Sequence, residues 1–328
     1  MSRYIRYTAV HYLVFGTVLL ISLSGLSWRG VSVQLAVQNG QVGSASSGSQ
    51  GSGTAPSVLF VGNSFTFGSG TPVMKWRPGT VTDMNGTGIG GVPAIFKAFV
   101  TQAGRDFNVS LETSPGKNLE YHFREKAEVI GRRWDYVLLQ GHSLLDKDRP
   151  GDATTHASGA KALAELIRSM NPRADIRLVA TWSRADQTYP EKGYWHGQPI
   201  EKMALDVRRG NDTAVKQSGG LIRQVIPVGE AWNRAIRTGV ADPNPYDGLT
   251  AGQLDLWGAD HYHASVAGYY LEALVIFGAI TGLDPRSLGQ REVAAAELGL
   301  SPEQAAALQK IAWAELKAGN GRWRPRSF

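Results

Sequence analysis

Apolar, β-favouring residues gather into short runs at Val58–Val61, Phe107–Leu111, Tyr136–Leu139 and Ile176–Ala180, with a fifth at Gln224–Val228. Between them, residues 93–103, 119–132 and 153–170 carry apolar positions at helical spacing. This alternation predicts an α/β fold with a central, mainly parallel, five-stranded sheet. Parallel neighbours need crossovers, and the crossover helices shield both faces of the sheet. Such sheets bind ligands at the carboxyl ends of their strands. Two more helical stretches follow. Residues 265–281 are rich in Ala, Leu and Ile and end at Gly282, and residues 301–317 open on Ser-Pro-Glu, which suits a first helical turn. The Gly-rich segment 68–91 and the aromatic segment 182–199 read as long irregular insertions, where function often resides.

The ends of the chain have a different character. Arg3 and Arg6 flank an apolar stretch of roughly 20 residues from Thr8 to Ser27, a length shared by long signal peptides and short membrane spans. Residues 1–28 are therefore expected to be a signal peptide or an N-terminal anchor, with 8–27 available for membrane attachment. Either reading predicts an exported protein: periplasmic, extracellular or membrane-anchored with its folded part outside the cytoplasm. Small residues suited to cleavage occur only late, at Gly43-Ser44-Ala45. Residues 29–56 become Gly- and Ser-rich and are expected to form a tether. The folded domain is then 57–320, and 321–328 is a basic tail holding Arg322, Arg324 and Arg326.

Composition narrows the chemistry. With 42% apolar residues the chain can bury a sizeable core, and the absence of cysteine excludes disulfides, thiolate zinc ligation and thiol catalysis. The formal charge is +6, but beyond residue 56 the balance is 31 basic against 28 acidic side chains. That is no nucleic-acid footprint. Oligomeric state leaves no signal in the sequence.

Two distant segments carry candidate chemistry. The run Ser57-Val-Leu-Phe-Val-Gly-Asn63-Ser64-Phe65-Thr66 reads as a buried strand ending in a turn that presents a serine. The segment Asp260-His261-Tyr262-His263 sets a carboxylate three residues before an imidazole. A serine hydroxyl is a weak nucleophile until a base takes its proton, and a carboxylate can hold that base in the right tautomer. Ser64, His263 and Asp260 would supply all three. Helix capping would also explain Ser64 and His263 taken singly.

Gly62-Asn63-Ser64-Phe65-Thr66, together with Asp260-x-x-His263-x-Ser265-x-x-Gly268-x-Tyr270-Leu271, resembles the SGNH (GDSL-like) hydrolase superfamily over roughly residues 57–284. The likeness is to members whose first block is Gly-Asn-Ser-Phe-Thr. It implies a flavodoxin-like, three-layer α/β/α sandwich and serine-dependent ester hydrolysis without a cofactor or metal. It also implies an oxyanion hole. Gly116, in Ser114-Pro-Gly-Lys-Asn-Leu-Glu-Tyr-His122, matches the glycine of the second block, which lends a backbone N–H alongside that of Ser64. The third block of the superfamily is Gly-x-Asn-Asp with a donating Asn. This chain departs from it with Leu138-Leu-Gln140-Gly-His142-Ser143, and Gln140 is the candidate amide donor, with His142 as a polar wall residue.

Other readings fit less well. The Gly-x-Ser-x-Gly elbow of α/β-hydrolases is absent, since Thr66 stands two residues after the serine. Gly86-Thr-Gly-Ile-Gly90-Gly91 does not match a dinucleotide loop. Asp255, Asp260, His261 and His263 could ligate a cation, but that would leave the serine block unexplained. Asn85, Asn108 and Asn211 head glycosylation sequons, relevant only in a eukaryotic secretory route. Trp182, Tyr194, Trp195 and Trp257 are candidate sugar-stacking rings near the same sheet edge. The function this assembles is an exported serine esterase removing acetyl or other short acyl groups from a carbohydrate. Acyl transfer to a glycan by the same triad, or carbohydrate binding without turnover, remain alternatives.

Overall fold

The strand Ser57–Gly62 (β1) is buried on both faces, as its unbroken apolar run requires, and it forms the centre of a six-stranded parallel sheet. In the computed structural model, which describes residues 55–319, the other strands are Thr82–Asp83 (β2), Asn108–Thr113 (β3), Tyr136–Leu139 (β4), Asp175–Ala180 (β5) and Gln224–Pro227 (β6). The order across the sheet is β2-β3-β1-β4-β5-β6, and every pairing is parallel. The expected leader or anchor at 1–28, the tether as far as residue 54 and the basic tail at 321–328 lie outside the described residues.

The helices are Ser64–Phe67 (α1), Gly91–Gln102 (α2), Leu119–Ile130 (α3), Thr154–Met170 (α4), Ala185–Thr188 (α5), Glu201–Gln217 (α6), Val228–Arg237 (α7), Val266–Thr281 (α8), Val293–Glu297 (α9) and Pro302–Ala318 (α10). Alternate strand residues feed opposite layers. Val58, Phe60, Val109, Leu111, Leu138 and Ile226 join one core with α2, α7, α8 and α10, while Leu59, Val61, Val137, Leu139, Ile176 and Leu178 join the other with α3, α4 and α6. The result is the expected three-layer α/β/α sandwich.

The sheet has six strands where the apolar pattern predicts five. The extra strand, β2, is a two-residue edge inside the Gly-rich segment 68–91, too short to leave an apolar run. Its Asp83 also explains the glycines that follow. The carboxylate accepts hydrogen bonds from the backbone N–H groups of Asn85 (3.0 Å), Thr87 (2.8 Å) and Ile89 (3.1 Å), so this loop wraps an anion supplied by the chain itself.

Without the β2 edge, the strands taken in chain order lie 2-1-3-4-5, the flavodoxin arrangement. In that order the chain reverses direction across the sheet beside β1, and the resulting crevice opens at the carboxyl ends of β1 and its neighbours. Ser64 follows β1, Gly116 follows β3 and Gln140 follows β4, so the topology delivers three candidate segments to one rim.

Candidate active site

Gly62 ends β1, and a Cβ at this position would come within 2.1 Å of Thr66 Oγ1 and 2.9 Å of Gln140 Oε1. Only glycine lets the chain turn this tightly into α1. Asn63 caps the turn by accepting the Phe65 N–H on Oδ1 (3.2 Å), while its Nδ2 donates to the carbonyls of Lys117 (3.0 Å) and Gly141 (3.2 Å). One side-chain amide thus ties the serine turn to both loops flanking it. Ser64 opens α1 and is 6% exposed; as the first helical residue its N–H has no carbonyl four residues back within the helix. Tyr269 on α8 donates its hydroxyl toward the Ser64 carbonyl at 3.2 Å.

Asp260 and His263 form a compact pair. Asp260 Oδ1 accepts the backbone N–H groups of Tyr262 (3.0 Å) and His263 (2.9 Å), and Oδ2 lies 2.6 Å from His263 Nδ1. Partial burial pushes the Asp260 pKa upward, but the hydrogen bonds from the His263 side chain and the two backbone N–H groups outweigh it, and the net shift is downward. An ionised carboxylate on Nδ1 holds the proton there and leaves the Nε2 lone pair available as a base. Nε2 is buried and has no hydrogen-bond partner among the described residues. The His263 ring rests on Tyr262 (centroids 4.0 Å apart) and against Phe65 (5.6 Å), the residue next to Ser64. Serine turn and histidine loop therefore share an aromatic contact.

No protein-family model matches this sequence, nor does any curated protein. Solved structures do match. A DUF4886-family protein of Bacteroides uniformis is 19% identical with a TM-score of 0.58, over 81% of this chain and 96% of its own. A family 3 carbohydrate esterase of Clostridium thermocellum is 15% identical with a TM-score of 0.41, over 68% of this chain and 94% of its own. At 19% identity the likeness to the Bacteroides uniformis protein is one of fold.

The remaining candidates divide. Gly116 adopts a left-handed φ of +67° with open space where a Cβ would stand, and it lines a cleft of about 480 Å³ together with Lys117, Tyr121, His142 and Lys147. Gln140 is placed differently from the sequence expectation. Its Oε1 accepts the Asn63 N–H (3.0 Å) and the Thr66 hydroxyl (3.0 Å), and its Nε2 donates to the Gly141 carbonyl. A backbone N–H can only donate, so Oε1 has to face Asn63, and one of the two Nε2 hydrogens is committed to the Gly141 carbonyl. Gln140 supports the serine turn from below, 1% exposed.

Three of the four candidate stacking rings are interior. Trp182 is sandwiched between Phe65 (4.4 Å) and Trp232 (4.6 Å), and its Nε1 donates to the Tyr262 carbonyl at 3.3 Å. Trp257 packs edge-on to Trp232 and donates to the Ser183 carbonyl, and Trp195 donates to Asp206 from within the second core. Their faces are covered by protein, so they cannot stack on a sugar, and Trp182 braces the serine turn through Phe65. Tyr194 alone of the four is exposed, at 63%, beside a cleft between residues 148–153 and 194–213.

Sequence reasoning missed two supports. Glu112 and His122 form a fully buried pair at the end of β3 and in α3, and Glu112 also receives Asn85 Nδ2 (3.3 Å) and the Ser114 hydroxyl (3.4 Å). Burial raises the Glu112 pKa, but His122, Asn85 and Lys126 outweigh it and lower it overall. This anchors both ends of the loop carrying Gly116. Arg184, bidentate to Asp186 (2.9 and 2.6 Å), lies 3.6 Å over the Tyr262 ring and donates to the Ser143 hydroxyl at 3.3 Å, linking the histidine loop to the loop after β4. Neither leaves a sequence signal beyond a charged residue inside an apolar stretch. Asp255 and His261 are drawn into separate local contacts, with the Trp257 N–H and the Tyr246 ring. No group of three or more His, Asp or Glu among the described residues is placed to hold a metal ion.

Proposed function

We propose that the protein is an exported serine esterase that hydrolyses short acyl esters, chiefly acetyl, on a carbohydrate. The observation that carries this reading is the Asp260–His263 pair at 2.6 Å with an unpartnered, buried Nε2, braced through Phe65 against the turn that presents Ser64. The motif resemblance supports the same assignment.

In this reading Ser64 Oγ attacks the ester carbonyl carbon as His263 Nε2 takes the hydroxyl proton. The carbonyl π pair moves onto oxygen, stabilised by the backbone N–H groups of Ser64 and Gly116. Collapse breaks the bond to the sugar oxygen, which leaves with the proton from His263, and an acyl-serine remains. Water, deprotonated by the same imidazole, repeats the sequence and releases the carboxylate. Asp260 stabilises the imidazolium in both halves.

The test is turnover of a small chromogenic acetate by the purified protein, with Ser64→Ala, His263→Ala and Asp260→Ala. Triad removal typically lowers kcat by about four to six orders of magnitude. Ser64→Ala and His263→Ala should fall to that floor and Asp260→Ala should fall less far. Near-normal turnover by Ser64→Ala would refute the assignment; unchanged kcat in Asp260→Ala would reduce that residue to a loop cap. Adding a sugar acceptor distinguishes hydrolysis from acyl transfer.

A further inference from the structure

Gln140 is buried under the serine turn with one Nε2 hydrogen committed to Gly141, and the residue two positions on is placed to supply a donor. β1 and β4 run parallel with Val61 opposite Leu139, and beyond them the Gln140 N–H donates to the Val61 carbonyl and the Asn63 N–H to Gln140 Oε1, so the turn into Ser64 and the loop into His142 leave the sheet side by side. Asn63 Nδ2 bonds the carbonyls of Lys117 and Gly141 together, and the neighbours of those residues are Gly116 and His142. Gly116 and His142 line the same cleft.

The imidazole has a defined tautomer. The Leu144 backbone N–H points at His142 Nδ1 from 3.3 Å, and a backbone N–H can only donate, so Nδ1 carries the lone pair and Nε2 carries the hydrogen. A ring in this state cannot serve as a base through Nε2. It can only donate there. The ring is also kept neutral: burial, then the nearby Arg184 and Lys147, lower its pKa to about 4. A neutral imidazole donor stabilises a developing oxyanion without giving up its proton.

We propose that His142 Nε2–H is the side-chain donor of the oxyanion hole, acting with the backbone N–H groups of Ser64 and Gly116. This rests on the esterase reading and adds a catalytic residue to it. As the carbonyl carbon becomes tetrahedral, its oxygen accepts the Nε2–H hydrogen bond, and no proton changes owner.

The experiment compares wild type with His142→Ala and His142→Asn, using a small chromogenic acetate for kinetics and methylboronic acid as a probe whose tetrahedral serine adduct occupies the hole. Loss of one such donor costs about 10² to 10³ in kcat. His142→Ala should show that loss with KM within about twofold and a matching rise in boronate Kd, and His142→Asn should recover part of both. His142→Gln and His142→Phe repeat the comparison with side chains of similar bulk, with and without a donor, so the result does not depend on how the cleft tolerates alanine. The proposal is overturned if His142→Ala or His142→Phe keeps wild-type kcat, or if kcat falls while boronate affinity stays unchanged. A wild-type protein that neither turns over esters nor binds the boronate removes the esterase reading and this inference with it, an outcome distinct from an active His142→Ala.

Discussion

At the scale of single residues, chemical type was easier to read than orientation. Ser64, Asp260 and His263 are identifiable because a post-strand turn and a three-residue spacing are local facts. The direction of the Gln140 amide is not local, since it is set by the Asn63 N–H, 77 positions away in the chain. The interior fate of Trp182 is likewise decided by Phe65 and Trp232, on other elements. The placement of Gln140 predicts a structural phenotype. In Gln140→Ala the buried Asn63 N–H loses its acceptor, a change worth about 1–3 kcal/mol, and the serine turn loses its floor. Chemical denaturation should report that loss of stability, with the kcat defect relieved in part at low temperature. Unaltered stability beside a pure kcat defect would return Gln140 to the oxyanion hole.

At the scale of elements, β1 and β4 were legible because burial on both faces makes each a nearly continuous apolar run, and β3, β5 and β6 because Val, Leu and Ile still recur in them between polar positions. Helices α6 and α7 were not among the stretches picked out by helical spacing, although α3, which was, carries as dense a set of charges. Helix α8 is the opposite case, apolar on nearly every side and almost wholly buried, as a helix in mid-core should be. It nevertheless carries Glu272, 1% exposed, with Oε2 unpartnered among the described residues. Burial raises its pKa well above the usual value of 4.5, so the folded protein holds it protonated while the unfolded chain ionises. Above pH 4.5 the unfolded state therefore binds fewer protons than the folded one, and wild-type stability declines with rising pH through this residue. Glu272→Gln removes the effect. Its advantage should be near zero at pH 4 and grow by about 1.4 kcal/mol per pH unit until the folded-state pKa is reached. Melting curves from pH 4 to 8 check this, and parallel curves for the two proteins would contradict it.

At the scale of the whole molecule, the proposed esterase would take its substrate at the open rim of the sheet, where the segments of Ser64 and Gly116 follow neighbouring strands. The cleft beside Gly116 is lined by Lys117, Arg124, Glu125, Asp146, Lys147 and Asp148. A long acyl chain laid there would strip water from these groups without replacing its hydrogen bonds, a cost of about 1–3 kcal/mol for each polar group left unpaired. Hydroxyl-rich sugars offer donors and acceptors instead. Turnover should therefore fall from acetate to octanoate esters of the same chromogenic alcohol. Of the four aromatic candidates only Tyr194 keeps a face in water, beside the neighbouring cleft at residues 148–153. Tyr194→Ala should raise KM several-fold on an acetylated oligosaccharide long enough to span both clefts, a loss of about 1 kcal/mol of ring contact, and should leave kinetics on the small acetate unchanged. The interior Trp195, replaced by Ala, should instead lower stability by about 3–5 kcal/mol and affect both substrates alike. A preference for octanoate, or a Tyr194→Ala defect of equal size on both acetates, would count against a carbohydrate ester.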